Sequence, residues 1–237
     1  MLPIIKPLQQ EINIKPAPVR KKIKIYSEEQ IEEFRKNIFP HSRAVIEKLA
    51  NEPFLNHTKL QGALSGSRKQ FKASIKWLIQ FKFLREIECK SSKTRSAKFY
   101  ALTPDAFNLL EIPKSKRKHG ARLFKHDYYC MRVHKYLSAR GLNPALEYLP
   151  GSLKTMGGFD RIDVYCKSKD GKDYANEITL SFSNYIGNIK KCDVAGMDII
   201  CIICENKGGI DSAKRKLENA HIKTNAEIQF RKINEYM

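Results

Sequence analysis

The chain has 237 residues and carries 44 Lys and Arg against 25 Asp and Glu, a formal charge of +19. With 42% hydrophobic and 29% charged residues it has enough apolar side chain to bury a core, which excludes an intrinsically disordered chain. It contains no run of about 18 apolar residues, and Met1 to Gln10 lacks an apolar secretory stretch with a small-residue cleavage site, so the expectation is a cytoplasmic protein without a membrane segment.

Taken in chain order, the charge is concentrated. Residues 1–26 hold six bases and one acid, residues 65–98 hold ten bases and two acids, and residues 112–126 hold six bases and no acid. These three stretches carry the whole excess, and the other 162 residues balance. A solvated surface would spread its lysines more evenly, so the pattern points to a polyanion, most simply nucleic acid, over general solubility or an acidic protein partner. Residues 1–41 read as a basic arm, residues 42–112 as a first domain, residues 113–120 as a basic linker and residues 121–237 as a second domain.

In the first domain, Val45, Ile46 and Leu49 recur with helical spacing from Ser42 to a turn at Asn51-Glu52-Pro53. A short helix from Asn56 to Leu64 follows, closed by Ser65-Gly66. Ser67 caps a third helix whose apolar face is Phe71, Ile75, Leu78 and Ile79, leaving Arg68, Lys69, Lys72 and Lys76 outside. Two extended stretches, Phe83 to Cys89 and Ala97 to Leu102, flank a polar tip, and Thr103-Pro104 starts a last helix with Pro at the first helical position. Three helices and a basic hairpin resemble a winged-helix domain. The resemblance implies that Arg68, Lys69, Gln70, Lys72 and Lys76 face DNA bases and phosphates, with Lys93 and Arg95 on the wing and Lys116, Arg117 and Lys118 adding contacts from the linker. Some winged helices dock proteins instead; the basic helix face and wing argue for DNA.

The second domain reads as a helix from Ala121 to Ala139, a strand from Ala145 to Leu149 and a strand pair, Arg161 to Cys166 and Tyr174 to Leu180. A helix from Asn184 to Asp193, an apolar central strand Ile199 to Cys204, a helix from Asp211 to Ala220 and a strand from Ala226 to Phe230 complete it. The Lys169-Asp170-Gly171 turn favours a three-residue loop with a G1 bulge, which pairs Ser168 with Lys172 and sets Asp163 opposite Glu177. Directly opposed side chains share a face at about 5 Å. Two adjacent carboxylates repel unless a proton or cation lies between them, and a hard divalent cation wants such oxygens. This register also places Ile162, Val164, Ile178 and Leu180 together on the core face.

The element order and the pair in Ile162-Asp163 and Glu177-Ile178-Thr179 resemble the restriction-endonuclease-like, or PD-(D/E)xK, superfamily, giving an overall expectation of a mixed α+β and α/β chain. Thr179 stands where that family has lysine, whose task is to orient or deprotonate the nucleophile and offset phosphate charge. Lys190 or Lys191 from the following helix, or Arg161 on the neighbouring strand, could take that role; Glu147 is a third candidate carboxylate. A winged helix joined to such a domain is similar to the MobC-type plasmid relaxases and the replication-relaxation proteins. The resemblance implies a DNA-nicking endonuclease acting with Mg²⁺ or Mn²⁺ on double-stranded or locally melted plasmid DNA at an origin of transfer or replication, alongside conjugation or replication machinery. The attacking group is then a water or a tyrosine. The rival reading is a catalytically inert winged-helix repressor or accessory factor, which Thr179 favours.

Other patterns are weaker. The cysteines, Cys89, Cys130, Cys166, Cys192, Cys201 and Cys204, read as reduced core thiols, including the Cys201/Cys204 pair, since residues three apart on a strand point to opposite faces. His126 and His134 fall on one helix, two turns apart, and read as structural histidines, with His126 also a candidate for a site role beside the linker. Tyr128, Tyr129 and Tyr185 are explained by aromatic core packing.

Overall fold

The computed structural model describes residues 40–113, 117, 119–120, 123–151, 161–180 and 185–237. Residues 1–39 of the basic arm, Lys116, Lys118 and residues 152–160 and 181–184 lie outside the described residues. Helix α1 (Pro40–Asn51) buries Val45, Ile46 and Leu49, as their spacing requires. Helix α2 (His57–Gly62) is capped by the Asn56 side chain, which accepts from the Lys59 N–H at 2.9 Å. Helix α3 (Arg68–Gln80) is capped by Ser67, whose hydroxyl accepts from the Gln70 N–H at 3.1 Å. Its buried face is Phe71, Ile75 and Leu78, and α1 packs against it. Strands β1 (Leu84–Lys90) and β2 (Ser96–Leu102) form an antiparallel hairpin, and Thr103 caps α4 (Pro104–Leu109).

Helix α5 spans Phe124–Ser138, and the expected start at Ala121 lies outside the described residues. Strands β3 (Ala145–Tyr148), β4 (Ile162–Lys167), β5 (Asp173–Thr179), β6 (Ile199–Cys204) and β7 (Glu227–Lys232) form one mixed sheet in chain order. The first three pair antiparallel, whereas β5 with β6 and β6 with β7 pair parallel. Helices α6 (Tyr185–Val194) and α7 (Lys207–Ala220) are the two crossovers between the parallel strands, and a 3₁₀ turn at Ile233–Tyr236 ends the chain. Thus the described residues form a mixed α+β structure with a five-stranded sheet. None of their helices is long and apolar enough to cross a membrane.

Alternation along β6 builds the layers. Ile199, Cys201 and Ile203 join Phe124, Tyr129, Val133 and Leu137 of α5 on one face. Ile200, Ile202 and Cys204 join Tyr185, Ile189 and Cys192 of α6 on the other, with Ile210 and Leu217 of α7 against them. Cys201 and Cys204 therefore leave the strand on opposite faces, and all six cysteines are free and buried. Gly209 in α7 has a packing reason: a Cβ there would lie 3.1 Å from the Cys204 Cβ, so glycine lets the helix approach the strand.

An aromatic seam continues the α5 face into the hairpin. Phe99 of β2 packs at a tilt against Tyr128 with 4.7 Å between ring centroids, and Phe54 lies 5.3 Å from Phe124. The Lys90 N–H donates to the Tyr129 hydroxyl at 3.0 Å, and that hydroxyl donates to Glu205 at 2.9 Å. Lys125 closes the group with an ion pair to Glu205 at 2.7 Å.

Candidate functional site

The β4–β5 turn sets the register of the site. Gly171 adopts φ +86°, and the Ser168 N–H donates to the Lys172 carbonyl at 2.8 Å. The ladder then runs Lys167 with Asp173, Cys166 with Tyr174, Tyr165 with Ala175 and Val164 with Asn176, as the Asp-Gly turn predicts. One step further, where Asp163 and Glu177 fall opposite, backbone pairing gives way to side chains. The Asp163 N–H donates to Glu177 Oε1 at 3.4 Å, and the Ile178 N–H donates to Asp163 Oδ2 at 2.8 Å. Each acid thus holds the other's strand, and the two strands part around them.

This split changes part of the expected arrangement. Val164 and Ile178 share the α5 face, but Ile162 packs in the α6-side cluster, and Leu180 lies beyond the end of β5 with 39% of its surface exposed. Strand β4 turns at Asp163, so strict alternation does not carry across that residue. The Asp163 carboxylate meets α5, with Oδ2 3.1 Å from His126 Nε2. The Glu177 carboxylate meets α6: Lys191 Nζ donates to it at 3.0 Å and the Cys192 thiol at 3.6 Å.

Glu177 is fully buried. Burial and the charge of Asp163 together outweigh Lys191 and push its carboxyl up to about 8. Burial alone would lower Lys191, but Glu177 overrides it and raises the ammonium. Lys191 also donates to the Arg161 carbonyl at 2.7 Å, which ties α6 to the start of β4. Of the three expected cations, Lys191 is thus the one that reaches Glu177. Lys190 is exposed on the same helix. Arg161, expected opposite Thr179, instead directs its guanidinium to the Glu147 carbonyl of β3 at 3.3 Å, because the β4–β5 ladder has ended before it.

Glu147 falls opposite Asp163 in the β3–β4 register, between the pairs Leu146 with Val164 and Tyr148 with Ile162. Its backbone is left-handed at φ +51°, an uncommon state for a residue with a Cβ. Burial and then the charge of Asp163 raise its carboxyl. The register therefore sets three acids in one row across β3, β4 and β5. Thr179 lies two residues along β5 from Glu177, hence on the same strand face. Its hydroxyl is buried without a hydrogen-bond partner among the described residues.

On the α5 side, His126 and Cys130 are one helical turn apart. The Cys130 sulfur lies 3.6 Å from His126 Nδ1 and 3.9 Å from Nε2. His126 Nδ1 is 3.5 Å from Asp127, which accepts from His119 Nδ1 at 2.9 Å. Burial would lower the His126 imidazole, yet Asp127 and Asp163 hold it well above its ordinary value. Asp127, which burial would raise, is held down to about 2 by His119 and His126. Burial pushes the Cys130 thiol up to about 11. Cys130 is a free, buried thiol of the core as expected, and its i, i+4 spacing from His126 is the sequence signal for this cluster.

The expected nucleic-acid residues lie elsewhere on the surface. Arg68, Lys69, Gln70, Lys72 and Lys76 on α3 are exposed, as are Lys93 and Arg95 at the hairpin tip. His57, next to this face, is lowered by burial and by the charge of Lys98, against the opposing charge of Glu86, with smaller contributions from Lys72 and Arg68. The tip's main chain is engaged, since the Lys93 carbonyl accepts from Asn234 at 3.3 Å. Arg117 folds back onto α4: its guanidinium donates to the Ile112 carbonyl at 2.9 Å and to Asn108 at 2.6 Å. Tyr128, Tyr129 and Tyr185 are all buried. Comparison with protein-family models, curated proteins and solved structures finds no match for this chain.

Proposed function

We propose that the chain is a DNA-binding, divalent-metal-dependent endonuclease that nicks one strand of plasmid DNA at an origin of transfer or replication, in the manner of a relaxase. In this reading α1–α3 and the hairpin act as a winged helix and the sheet as a PD-(D/E)xK-like nuclease domain. The observation that carries it is the meeting of Asp163, Glu177 and Lys191 where β4 and β5 part, with Lys191 Nζ 3.0 Å from Glu177. A lysine from α6 thereby takes the place that Thr179 leaves vacant in the sequence.

The acids and the unpartnered Thr179 hydroxyl suit a polar ligand at this split. Asp163, with Glu147 opposite it in the β3–β4 register, would hold the cation, which when bound would polarise the phosphate and lower the pKa of a bound water, while Glu177 reaches the split from the α6 side. Lys191 keeps Glu177 in place and offsets charge developing on the phosphate. The exposed cations of α3, with Lys93 and Arg95, supply the attraction to the backbone and hold the duplex. The buried tyrosines favour water as the attacking group.

A second reading, a DNA-binding repressor or accessory factor without catalysis, is favoured by the complete burial of Glu177. Incubating supercoiled plasmid containing a transfer or replication origin with Mg²⁺ or Mn²⁺ separates the two. The enzyme reading expects open circles, with Asp163→Ala and Glu177→Ala each slowing their appearance on the order of 10²-fold or more. Nicking unaffected by both changes would remove the site. Binding without nicking under every metal would establish the second reading.

A further inference from the structure

Asp163 has two sets of neighbours, and only one of them is all oxygen. Toward β3 and β5 lie the carboxylates of Glu147 and Glu177. Toward α5 lie a nitrogen and a sulfur: donor atoms of His126, Cys130 and Asp163 fall within 4.8 Å of one another. We infer that these three side chains form a binding site for a borderline transition ion, with Zn²⁺ the best fit among the common ones.

The donor chemistry comes first. Imidazole and thiolate select Zn²⁺ and its neighbours in the transition series, whereas Mg²⁺ takes oxygen and water. Spacing agrees. Zn–N, Zn–O and Zn–S bonds of about 2.0–2.3 Å in a tetrahedron place neighbouring donors about 3.3–3.7 Å apart. His126 Nε2 lies 3.1 Å from Asp163 Oδ2 and 3.9 Å from the Cys130 sulfur, on either side of that range.

The surroundings match what such a site needs. With Nε2 on the ion, Nδ1 faces the Asp127 carboxylate at 3.5 Å, and Asp127 is itself anchored by His119. A carboxylate behind a ligating histidine fixes its tautomer and orientation. The Ile178 N–H at 2.8 Å holds Asp163 in the same way. His126 and Cys130 are one turn apart on a 15-residue helix, so both come from one rigid element. Three protein ligands leave a fourth position for water or a substrate oxygen, the pattern of catalytic rather than structural zinc. Binding releases the thiol proton and the proton between His126 and Asp163 to solvent. The site shares Asp163 with the proposed cleavage centre but does not depend on cleavage.

Titration of the metal-free full chain with Co²⁺ tests the assignment. The expected result is a thiolate-to-cobalt charge-transfer absorption that saturates at one ion per chain and is bleached by Zn²⁺. Cys130→Ser, checked for an unchanged near-UV circular dichroism spectrum, should lose the band, and His126→Gln should weaken Co²⁺ binding by at least tenfold. Absence of the band in the folded wild-type chain, or its persistence in Cys130→Ser, overturns the proposal. The nuclease reading fails separately. Nicking with Mg²⁺ in a chain that shows no cobalt band leaves that reading standing and removes this one, and a cobalt band in a chain that fails to nick under every metal does the reverse.

Discussion

Around α3, Arg68, Lys69, Lys72 and Lys76 stand in solvent over an apolar core whose buried polar residues are Ser42 and Ser74. In the sheet, Glu177 and Lys191 are packed against each other with side-chain exposures of 1% and 10%, and Asp163 is 14% exposed. Charge on the helical face costs little to solvate and acts at long range, so it can attract a polyanion without shaping the fold. Charge in the sheet has lost its water and depends on its neighbours, so it shapes the fold and is sensitive to any change beside it. One region is suited to attraction and the other to local chemistry.

Substitutions should break the two regions differently. Replacing Arg68, Lys69, Lys72 and Lys76 with Ala is expected to leave the melting temperature nearly unchanged. It should lower DNA affinity by orders of magnitude at low salt and reduce the log–log salt slope by about 0.9 for each phosphate that is no longer neutralised. Filter binding across a salt series measures this, and an unchanged slope would detach α3 from DNA. Lys191→Met should do the opposite, raising the Glu177 carboxyl further and leaving it unpaired when ionised at a cost of about 3–5 kcal/mol at high pH. The cost should shrink as pH falls and Glu177 takes up a proton, which urea melts at several pH values would follow.

The wild-type pH dependence has a definite sign. Burial and the charge of Asp163 hold the Glu177 carboxyl above its ordinary value of 4.5 when folded, so its contribution to stability is fully present below that value and is lost as pH rises through the raised one. Glu177→Gln should flatten the stability curve across that window. Asn206→Ala removes the cap that accepts from the Gly209 N–H at 2.9 Å and should cost about 1 kcal/mol. Smallest is the exposed Lys98–Glu86 pair of the hairpin at 2.9 Å, where a double-mutant cycle should return about 0–1 kcal/mol.

The sequence made the elements legible where local chemistry decides them. Asn56, Ser67 and Thr103 announced helix starts, and Asp170-Gly171 set the β4–β5 register and with it the adjacency of Asp163 and Glu177. The first turn of α7 was hidden because Gly208-Gly209 disfavours helix locally, whereas tertiary packing on Cys204 requires that glycine. The terminal 3₁₀ turn was missed as well; its signal is Glu235, whose side chain accepts from the Lys232 N–H at 2.8 Å. The parting of β4 and β5, the turning of Asp163 toward α5 and the selection of Lys191 over Lys190 or Arg161 depend on three elements meeting in space. No spacing along the chain reports such a meeting.

The Tyr129 hydroxyl has one further consequence. By accepting from the hairpin backbone and donating to Glu205 at the end of β6, it fastens the strand beside α3 to the sheet that holds Asp163. The Phe99–Tyr128 contact adds to this joint between the hairpin and α5. On the proposed DNA-cleaving reading, a duplex held by α3 would reach the acids through this joint, and Tyr129→Phe, which removes the hydroxyl link, should loosen the choice of cleavage position.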